Sequence, residues 1–246
     1  MKRLRILTLI LLILSVGAFF ATNALRRLRA DSTLPQISCG DDVLYLSVED
    51  GRDAMLQGMN AWDGKDGDLT GDIVVERVSG GEEKGQLTVS YAVADSDRHV
   101  AGYTRTVVYT DYRSPQFYLS KPLRYGVGED IQVRDRLGAL DQIDGTISDR
   151  IKVSTDSLQT YYAGLYPVTV EVTNSLGDTA SLTLDIEIYD SIFGEPVIQL
   201  DRYLVYLDSA AGFDPDSYIS SVTGAPESSV RVSTPAGGLR PGVNRI

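Results

Sequence analysis

The sequence has one cysteine, one histidine and one tryptophan among 246 residues. The single cysteine excludes the class of proteins that disulfides hold together. Cys39 has no second cysteine with which to form an intrachain disulfide, so the chain is not a disulfide-stapled secreted domain. The preceding Gln36-Ile37-Ser38 is not the small apolar run of a lipoprotein signal. We therefore interpret Cys39 as a free structural thiol.

The sequence also lacks the usual motifs of a catalytic site. The sequence contains no glycine-rich phosphate loop, no zinc-ligand spacing and no nucleophile elbow. A catalytic histidine needs a partnered nucleophile and an orienting group, whereas His99 lies in the polar segment Asp97-Arg98-His99. We interpret His99 as a surface turn residue and predict that the chain is not an enzyme and needs no cofactor.

Positive charge is scarce beyond the amino terminus. The chain has 23 basic and 34 acidic residues. The first thirty positions contain no acidic residue and six basic ones: Lys2, Arg3, Arg5, Arg26, Arg27 and Arg29. The remainder therefore carries 17 basic against 34 acidic residues, a net charge of −17, which repels phosphate backbones and anionic lipid. We predict no nucleic-acid binding; divalent cations or basic partners fit better, although the charge also serves solubility.

The amino terminus, residues 1–30, is predicted to be a transmembrane signal anchor. Residues 6–25 carry no charge, and twenty helical residues span about 30 Å, the thickness of the hydrocarbon core. Basic residues precede this run, as expected for an end left in the cytoplasm. A cleaved signal peptide is the alternative, with a mediocre cleavage site at residues 21–24. Both interpretations place the bulk of the chain outside the cytoplasm, either on a single-pass anchor in the cell membrane or secreted after cleavage.

Internal repeats organise the rest of the chain. Pro35, Pro115 and Pro196 each open a similar block. Residues 61–70 align without a gap with 139–148, and residues 89–111 align with 168–190. We predict domains at 35–113 and 115–190 and an incomplete third repeat at 196–246. Because its last residues align with the start of a hairpin in the other repeats, we expect the natural chain to continue.

The aligned segments have the pattern of β-hairpins. Apolar residues alternate with polar or small ones before turns at residues 95–97 and 174–177, and again after them. Period-two alternation indicates strands with one buried face, and many short strands between turns indicate a β-sandwich. In the third repeat, Asp214-Pro215 predicts a helical turn through Tyr218.

Three segments carry a family resemblance: Asp66-Gly67-Asp68-Leu69-Thr70, residues 85–95 and residues 104–108. They resemble the tandem Ig-like domains of bacterial surface proteins, a type related to the Ig-like module of pesticidal crystal toxins. The resemblance implies tandem Ig-like β-sandwich domains, and together with the apolar amino terminus it leads us to expect an all-β chain that follows an N-terminal transmembrane helix. It also implies an extracellular, often cell-wall-associated setting, where such modules serve as spacers, adhesin segments or appendages to enzymes.

The acidic turns are candidate calcium sites. Their carboxylates could supply the oxygen ligands that Ca²⁺ prefers, and they are Asp63, Asp66, Asp68, Asp141 and Asp144. The alternative is plain turn chemistry, in which glycine supplies positive φ and aspartate caps the loop. This alternative is favoured because Asp68 aligns with Thr146, and Asp72 with Arg150.

Aromatic residues are candidates for binding surfaces. Trp62 could stack on carbohydrate, but its counterpart Leu140 is merely apolar, which favours core packing. A tyrosine interaction surface is a second candidate, formed by Tyr161, Tyr162, Tyr203 and Tyr206. Tyrosine is equally a good strand former, so this set does not by itself indicate a partner.

We therefore expect a membrane-anchored extracellular protein whose Ig-like modules act as spacer or adhesin segment. Proline-containing joints at residues 113–115 and 193–196 limit bending in this interpretation. One alternative is a carbohydrate- or protein-binding module that uses loops at one end of a sandwich. Another is the non-catalytic stalk of a surface enzyme.

A calcium site in the acidic turns predicts that millimolar Ca²⁺ raises the melting temperature of the chain relative to EDTA, because a ligand of the folded state stabilises it by mass action. Changing Asp66 and Asp144 to alanine should remove this increase. Equal melting temperatures in calcium and EDTA, measured by circular dichroism, would contradict the calcium hypothesis and leave these aspartates as turn formers.

Overall fold

The structure is a computed structural model that describes residues 2–29, 33–155, 158–190 and 196–246. It begins with one helix, α1 (Lys2–Arg29), and continues as strands joined by loops and short 3₁₀ helices. The all-β prediction is confirmed for the chain beyond α1. Part of the predicted joint at 193–196 and the ends of the anchor segment lie outside the described residues.

The first set of strands forms two sheets. The strands are β1 (Gln36–Cys39), β2 (Val43–Leu46), β3 (Met59–Asp63), β4 (Gly67–Asp68), β5 (Val74–Gly80), β6 (Gln86–Ala94) and β7 (Val100–Tyr109). One sheet has the order β1-β3-β4 and the other β2-β7-β6-β5. Two 3₁₀ helices, Arg52–Leu56 and Thr70–Asp72, connect strands of this first sandwich.

The second set repeats this topology. Its strands are β8 (Gln116–Leu119), β9 (Arg124–Gly126), β10 (Leu137–Asp141), β11 (Gly145–Thr146), β12 (Lys152–Ser154), β13 (Gly164–Thr173) and β14 (Thr179–Tyr189). The sheets have the orders β8-β10-β11 and β12-β13-β14-β9, with β9 parallel to β14. The 3₁₀ helices Val133–Asp135 and Ser148–Arg150 stand in equivalent places.

The predicted hairpins are β6–β7 and β13–β14, and their alternation builds the cores. On β13 the inward positions are Val168, Val170 and Val172, all buried, while the residues between them face outward. The opposite sheet contributes Phe117, Leu137 and Ala139 to the same core. Burial of these side chains between two sheets is the main favourable term in folding such a module.

The third segment contains two paired strands, β15 (Val197–Leu200) and β16 (Ile219–Thr223), and the 3₁₀ helices Pro215–Tyr218 and Glu227–Ser229. The predicted helical turn at Pro215 is confirmed. Asp214 is its N-cap, with Oδ1 accepting the backbone N–H of Asp216 at 3.1 Å. Proline suits the first helical position because its fixed φ matches the helix and it has no N–H to satisfy.

Contacts divide the chain into two compact units. The first comprises Met1–Leu46, Asp50–Ser79 and Thr88–Val108, and the second comprises Ser47–Glu49, Gly80–Leu87 and Tyr109–Ile246. The third segment belongs to the second unit, where Leu204 packs against the core of the second sandwich and the Tyr206 hydroxyl accepts the Phe117 N–H at 2.9 Å.

One core position differs sharply between the sandwiches. The alignment pairs Arg105 on β7 with Leu184 on β14, and both side chains are buried. The guanidinium of Arg105, only 4% exposed, donates from Nη1 to the carbonyl of Gln57 at 2.6 Å. Beside this part of the core, the hydroxyl of Tyr91 donates to the carbonyl of Met55 at 2.7 Å. Buried polar groups of this kind require such partners.

Candidate functional site

The acidic turn of the first sandwich is built around a buried carboxylate. Asp63 ends β3 and is 1% exposed. Its Oδ1 accepts the backbone N–H groups of Lys65 at 2.8 Å and Asp66 at 3.0 Å, and its Oδ2 accepts the Thr33 hydroxyl at 3.2 Å. Gly67 follows with φ +78°, a conformation that favours glycine. Asp63 therefore determines the path of the chain between β3 and β4.

The second sandwich has the same turn. Asp141, also buried, accepts the N–H groups of Ile143 and Asp144 on Oδ1, each at 2.9 Å. The side-chain amide of Asn174 donates to Oδ2 at 3.2 Å. Gly145 has φ +70° and begins β11. The two turns thus share a pair of backbone bonds to Oδ1, whereas the side-chain donor to Oδ2 differs between them.

A second carboxylate ties each acidic turn to the hairpin turn of its own sandwich. Asp66 accepts the N–H of Ser96 at 2.8 Å and its hydroxyl at 2.9 Å. Asp144 accepts the N–H of Ser175 at 2.7 Å and its hydroxyl at 2.6 Å. We call these two pairs the Asp–Ser clasps. Both predicted hairpin turns contain this serine, but no local sequence pattern connects it to the aspartate about thirty residues earlier.

Electrostatics favour the ionised form of the second clasp. Burial alone would raise the pKa of Asp144, but the hydrogen bonds from Ser175 and Arg150 outweigh it, so this pKa lies below its usual value. The Arg150 guanidinium contacts the carboxylate at 2.5 Å. Charge-assisted bonds of this kind are stronger than neutral ones.

The hairpin turns have their own buried polar groups. In the first sandwich, Asp95 accepts the N–H of His99 at 2.7 Å, and its other oxygen lies 2.6 Å from His99 Nδ1. In the second, Asn174 accepts the N–H groups of Leu176 and Asp178, each at 3.0 Å. His99 therefore lies at the hairpin turn, where its aligned counterpart Asp178 also lies.

The five candidate calcium ligands are engaged in these turns. Asp63, Asp66, Asp141 and Asp144 accept the hydrogen bonds described above, and Asp68 accepts the N–H of Thr70 at 2.9 Å. The Thr70 bonds hold the pKa of Asp68 below its usual value. Across residues 2–29, 33–155, 158–190 and 196–246, no three histidine, cysteine or acidic side chains are grouped to hold a metal ion. Calcium binding stays a prediction.

Within the second unit, a buried tyrosine joins a polar network. The Tyr112 hydroxyl donates to Asp178 Oδ2 at 2.8 Å and accepts the side-chain amide of Asn174 at 2.9 Å. Lys84 Nζ lies 3.0 Å from Asp178 Oδ1. Burial, reinforced by the Asp178 carboxylate, raises the pKa of Tyr112 far above its usual range. Burial also opposes ionisation of Asp178, but bonds from Ser114, Lys84 and Tyr112 bring that pKa below its usual value.

The prediction that Trp62 packs in the core is wrong. Its side chain is 62% exposed, and that of Leu140 is 51% exposed. The buried residues on β3 are Met59, Ala61 and Asp63, so the pleat directs Trp62 to the opposite face. The prediction failed because ordinary burial preferences favour tryptophan over aspartate for an inward position.

Polar side chains surround Trp62 on the outward face of β1-β3-β4. Gln36 on β1 and Asp68 on β4 both pair with Trp62, and Ser38 pairs with Asn60. These residues line a shallow open hollow of about 360 Å³. We call this surface the Trp62 face and define it as Gln36, Ser38, Asn60, Trp62, Asp68 and Thr70.

The four candidate tyrosines have different surroundings. Tyr161 and Tyr162 are strongly exposed, at 77% and 70%. Burial raises the pKa of Tyr206, although the bond from the Phe117 N–H opposes this. The Tyr203 hydroxyl accepts the N–H of Leu200 at 3.4 Å. The hydroxyl groups of Tyr203 and Tyr206 thus have backbone partners, whereas the rings of Tyr161 and Tyr162 face solvent.

Comparisons with known proteins found weak structural similarity. No protein-family model and no curated protein matches the chain. One similar structure is the M60 catalytic domain with the CBM51-1 and CBM51-2 domains from Clostridium perfringens ZmpB: 12% identity, TM-score 0.27, covering 70% of this chain and 34% of that one. Another contains CBM51-2 in complex with GlcNAc and INT domains from the same protein: 16% identity, TM-score 0.26, covering 62% and 41%.

A third is protocadherin gamma B7 extracellular cadherin domains 1–4: 14% identity, TM-score 0.23, covering 70% of this chain and 55% of that one. This chain thus spans between about a third and about half of these structures. Because TM-scores this low do not establish a common fold, the all-β assignment rests on the strand pairings of the chain itself.

Removing a clasp hydroxyl should destabilise its sandwich. We expect Ser96→Ala and Ser175→Ala each to lower the free energy of unfolding by about 0.5–1.5 kcal/mol, the net value of one hydrogen bond. Urea unfolding of the full chain in detergent measures this change. Ser181→Ala, at an exposed position on β14, is the matched control, and equal stability of Ser175→Ala and Ser181→Ala would contradict the clasp.

Acid should weaken the second sandwich through Asp144 and Asp178. Because both folded-state pKa values are lowered, their stabilisation is complete above the unfolded pKa of about 3.9. It is lost as the pH falls through the folded values. We expect Asp144→Asn to lower stability at neutral pH but to give a shallower decline in acid. Urea midpoints from neutral pH into acid test this; parallel declines would contradict it.

Proposed function

We propose that the chain is a membrane-anchored, extracytoplasmic protein whose Ig-like modules act as a non-catalytic spacer or adhesin segment. The observation that carries the proposal is α1. It contains an apolar stretch, Thr8–Leu25, long enough to cross a membrane, with none of its side chains buried against the protein. A helix that is apolar on all sides and unburied in protein favours a lipid environment. A signal sequence shares this length and composition.

The sandwiches support the spacer part of the proposal. Each has its own apolar core and its own Asp–Ser clasp, so each module has internal means of stabilisation. In the described residues, the aspartates of the acidic turns and the single histidine form hydrogen bonds that hold the turns together. These are the features of modules that hold their shape and set a distance, which fits display of other parts of a surface protein.

A binding module is the second candidate function. It is favoured by one observation, the exposure of Trp62 on a sheet face with polar neighbours. Aromatic residues are enriched at interaction surfaces, and binding sites combine apolar surface with a few placed polar groups. The two functions are compatible, since an anchored spacer can also carry a ligand site.

The anchor makes a prediction about membrane retention. We expect the full chain, expressed in bacteria, to stay in carbonate-washed membranes and to be digested by protease added outside the inner membrane. Val16→Arg, near the middle of the apolar run, should reduce membrane retention, because a central arginine costs about 2.5–3.5 kcal/mol. Val16→Leu is the matched control.

Three outcomes are distinguishable. Retention with external digestion supports the anchor. A soluble exported chain whose amino terminus begins near residue 25 would replace the anchor with a cleaved signal. Protection of the sandwiches until the inner membrane is lysed would contradict the extracytoplasmic location itself.

A further inference from the structure

Trp62 is one of two strongly exposed rings on the strands of the first sandwich, the other being Tyr45, and its ring lies against the backbone of the neighbouring turn. Leu69 N–H donates to the carbonyl of Ala61 at 2.9 Å, which holds the chain after β4 against β3. The indole Cη2 lies close to Gly67, where an added Cβ would be 3.8 Å away. The ring therefore lies over the backbone of the turn rather than extending freely from β3, and ordering it on binding costs little entropy.

Hydrogen-bonding groups lie on both sides of the indole. Gln36 and Asp68 are its direct cross-strand neighbours, and directly paired side chains have Cβ atoms about 4.5–5.5 Å apart. Asn60 precedes Trp62 by two residues on β3 and points to the same face. The indole ring is thus bordered by the carboxamides of Gln36 and Asn60 and by the carboxylate of Asp68.

This combination fits a sugar. A pyranose with equatorial hydroxyls has axial C–H groups on its faces, which contact an aromatic ring, and hydroxyls at its rim, which need donors and acceptors. Amides offer both, and a carboxylate accepts from hydroxyl groups. Binding sites combine apolar surface with a few placed polar groups in this way.

Charge restricts the kind of sugar. Asp68 lies beside the ring, Asp63 and Asp66 lie in the adjoining turn, and the chain beyond its first thirty residues has a net charge of −17. A polymer of uronic acids or of sugar phosphates would be repelled. The ligand that fits is therefore uncharged.

The face is open and lies on a sheet, so it fits the extended, flat chain of a β-1,4-linked gluco polymer better than the curved chain of an α-1,4-linked one. We propose that the Trp62 face binds a neutral β-1,4-linked polysaccharide of gluco configuration, stacking one pyranose ring on the indole and hydrogen-bonding its hydroxyls through Gln36, Asn60 and Asp68. This inference gives a site and a ligand class to the binding-module candidate and rests on that candidate. It is independent of the anchor, because the anchor is tested by fractionation and this site by binding in solution.

The second sandwich provides an internal comparison. Leu140 stands in place of Trp62, Thr146 in place of Asp68, and Gly138 in place of Asn60. Tyr118 lies across Gly138 there, where an added Cβ would come within 2.1 Å of the ring. The equivalent face has the exposed Tyr118 and Leu140 in place of the indole and lacks the same polar set, so the proposal concerns the first sandwich.

Binding can be read from the ligand site directly, because Trp62 is the single tryptophan of the chain. We would titrate the full chain, in a zwitterionic detergent without a sugar headgroup, with cellohexaose and with chitohexaose, and follow tryptophan fluorescence. We expect a saturating change with at least one of these β-linked oligosaccharides and at least tenfold weaker binding of α-linked maltohexaose.

Variants separate stacking from folding. By isothermal titration, we expect Trp62→Leu, which copies the second sandwich, to weaken binding at least tenfold, and Trp62→Tyr to retain part of it. Asp68→Asn and Gln36→Ala should each weaken binding about fivefold, as expected for one hydrogen bond. Leu140→Ala is the matched control and should bind as wild type, and urea midpoints verify that every variant is folded.

Three results of the binding experiments would overturn the proposal. They are no fluorescence or heat change with either β-linked oligosaccharide, undiminished binding by Trp62→Leu, or equal binding of maltohexaose. Sedimentation of wild type and of Trp62→Leu without sugar measures whether the chain self-associates through this face. Self-association that depends on Trp62 would assign the face to a second copy of the chain and would also overturn the sugar assignment.

Discussion

The loop end of each sandwich depends on one buried carboxylate, that of Asp63 or Asp141. Removing an ionised group from water is expensive, so such a group persists only where donors surround it. Here two backbone N–H groups of the following turn converge on one oxygen, and a side chain donates to the other. This arrangement determines where the next aspartate lies, and that aspartate clasps the serine of the hairpin turn. Both turns of a sandwich are therefore placed by a single buried charge.

The same constraint explains the outward orientation of Trp62. A strand residue next to an inward side chain must face outward, and Asp63 occupies the inward position at the end of β3. The acidic composition also gains a structural explanation, because several of its carboxylates are acceptors for turn N–H groups. In the sugar site that we propose on the Trp62 face, the remaining negative charge favours an uncharged ligand, so one set of aspartates shapes both the turn and the chemistry beside it.

Sequence patterns predicted the parts of the fold that follow from periodicity. The hairpins were identifiable because Val168, Val170 and Val172 alternate with polar residues, and the Pro215 turn because aspartate and proline have strong positional preferences. Trp62 was misassigned since burial preferences alone cannot reveal that a carboxylate takes the inward position. Arg105 was missed because its partner is a backbone carbonyl, which leaves no trace in composition. The clasps join residues about thirty positions apart, and only the repeated serine hinted at them.

Arg105 has a consequence for how tandem repeats fold without exchanging strands. Neighbouring modules of like topology risk misassembly during folding, when one module's strand can enter the other's sheet. If β7 took the place of β14, its guanidinium would replace Leu184 in an apolar core, away from the Gln57 carbonyl that it contacts in its own sandwich. A buried cation without its partner costs several kcal/mol, on the order of what a domain's whole stability provides. The core of the second sandwich therefore disfavours β7 in the place of β14. Through this single arginine, the hairpin strands of the two repeats cannot be exchanged without a loss of stability.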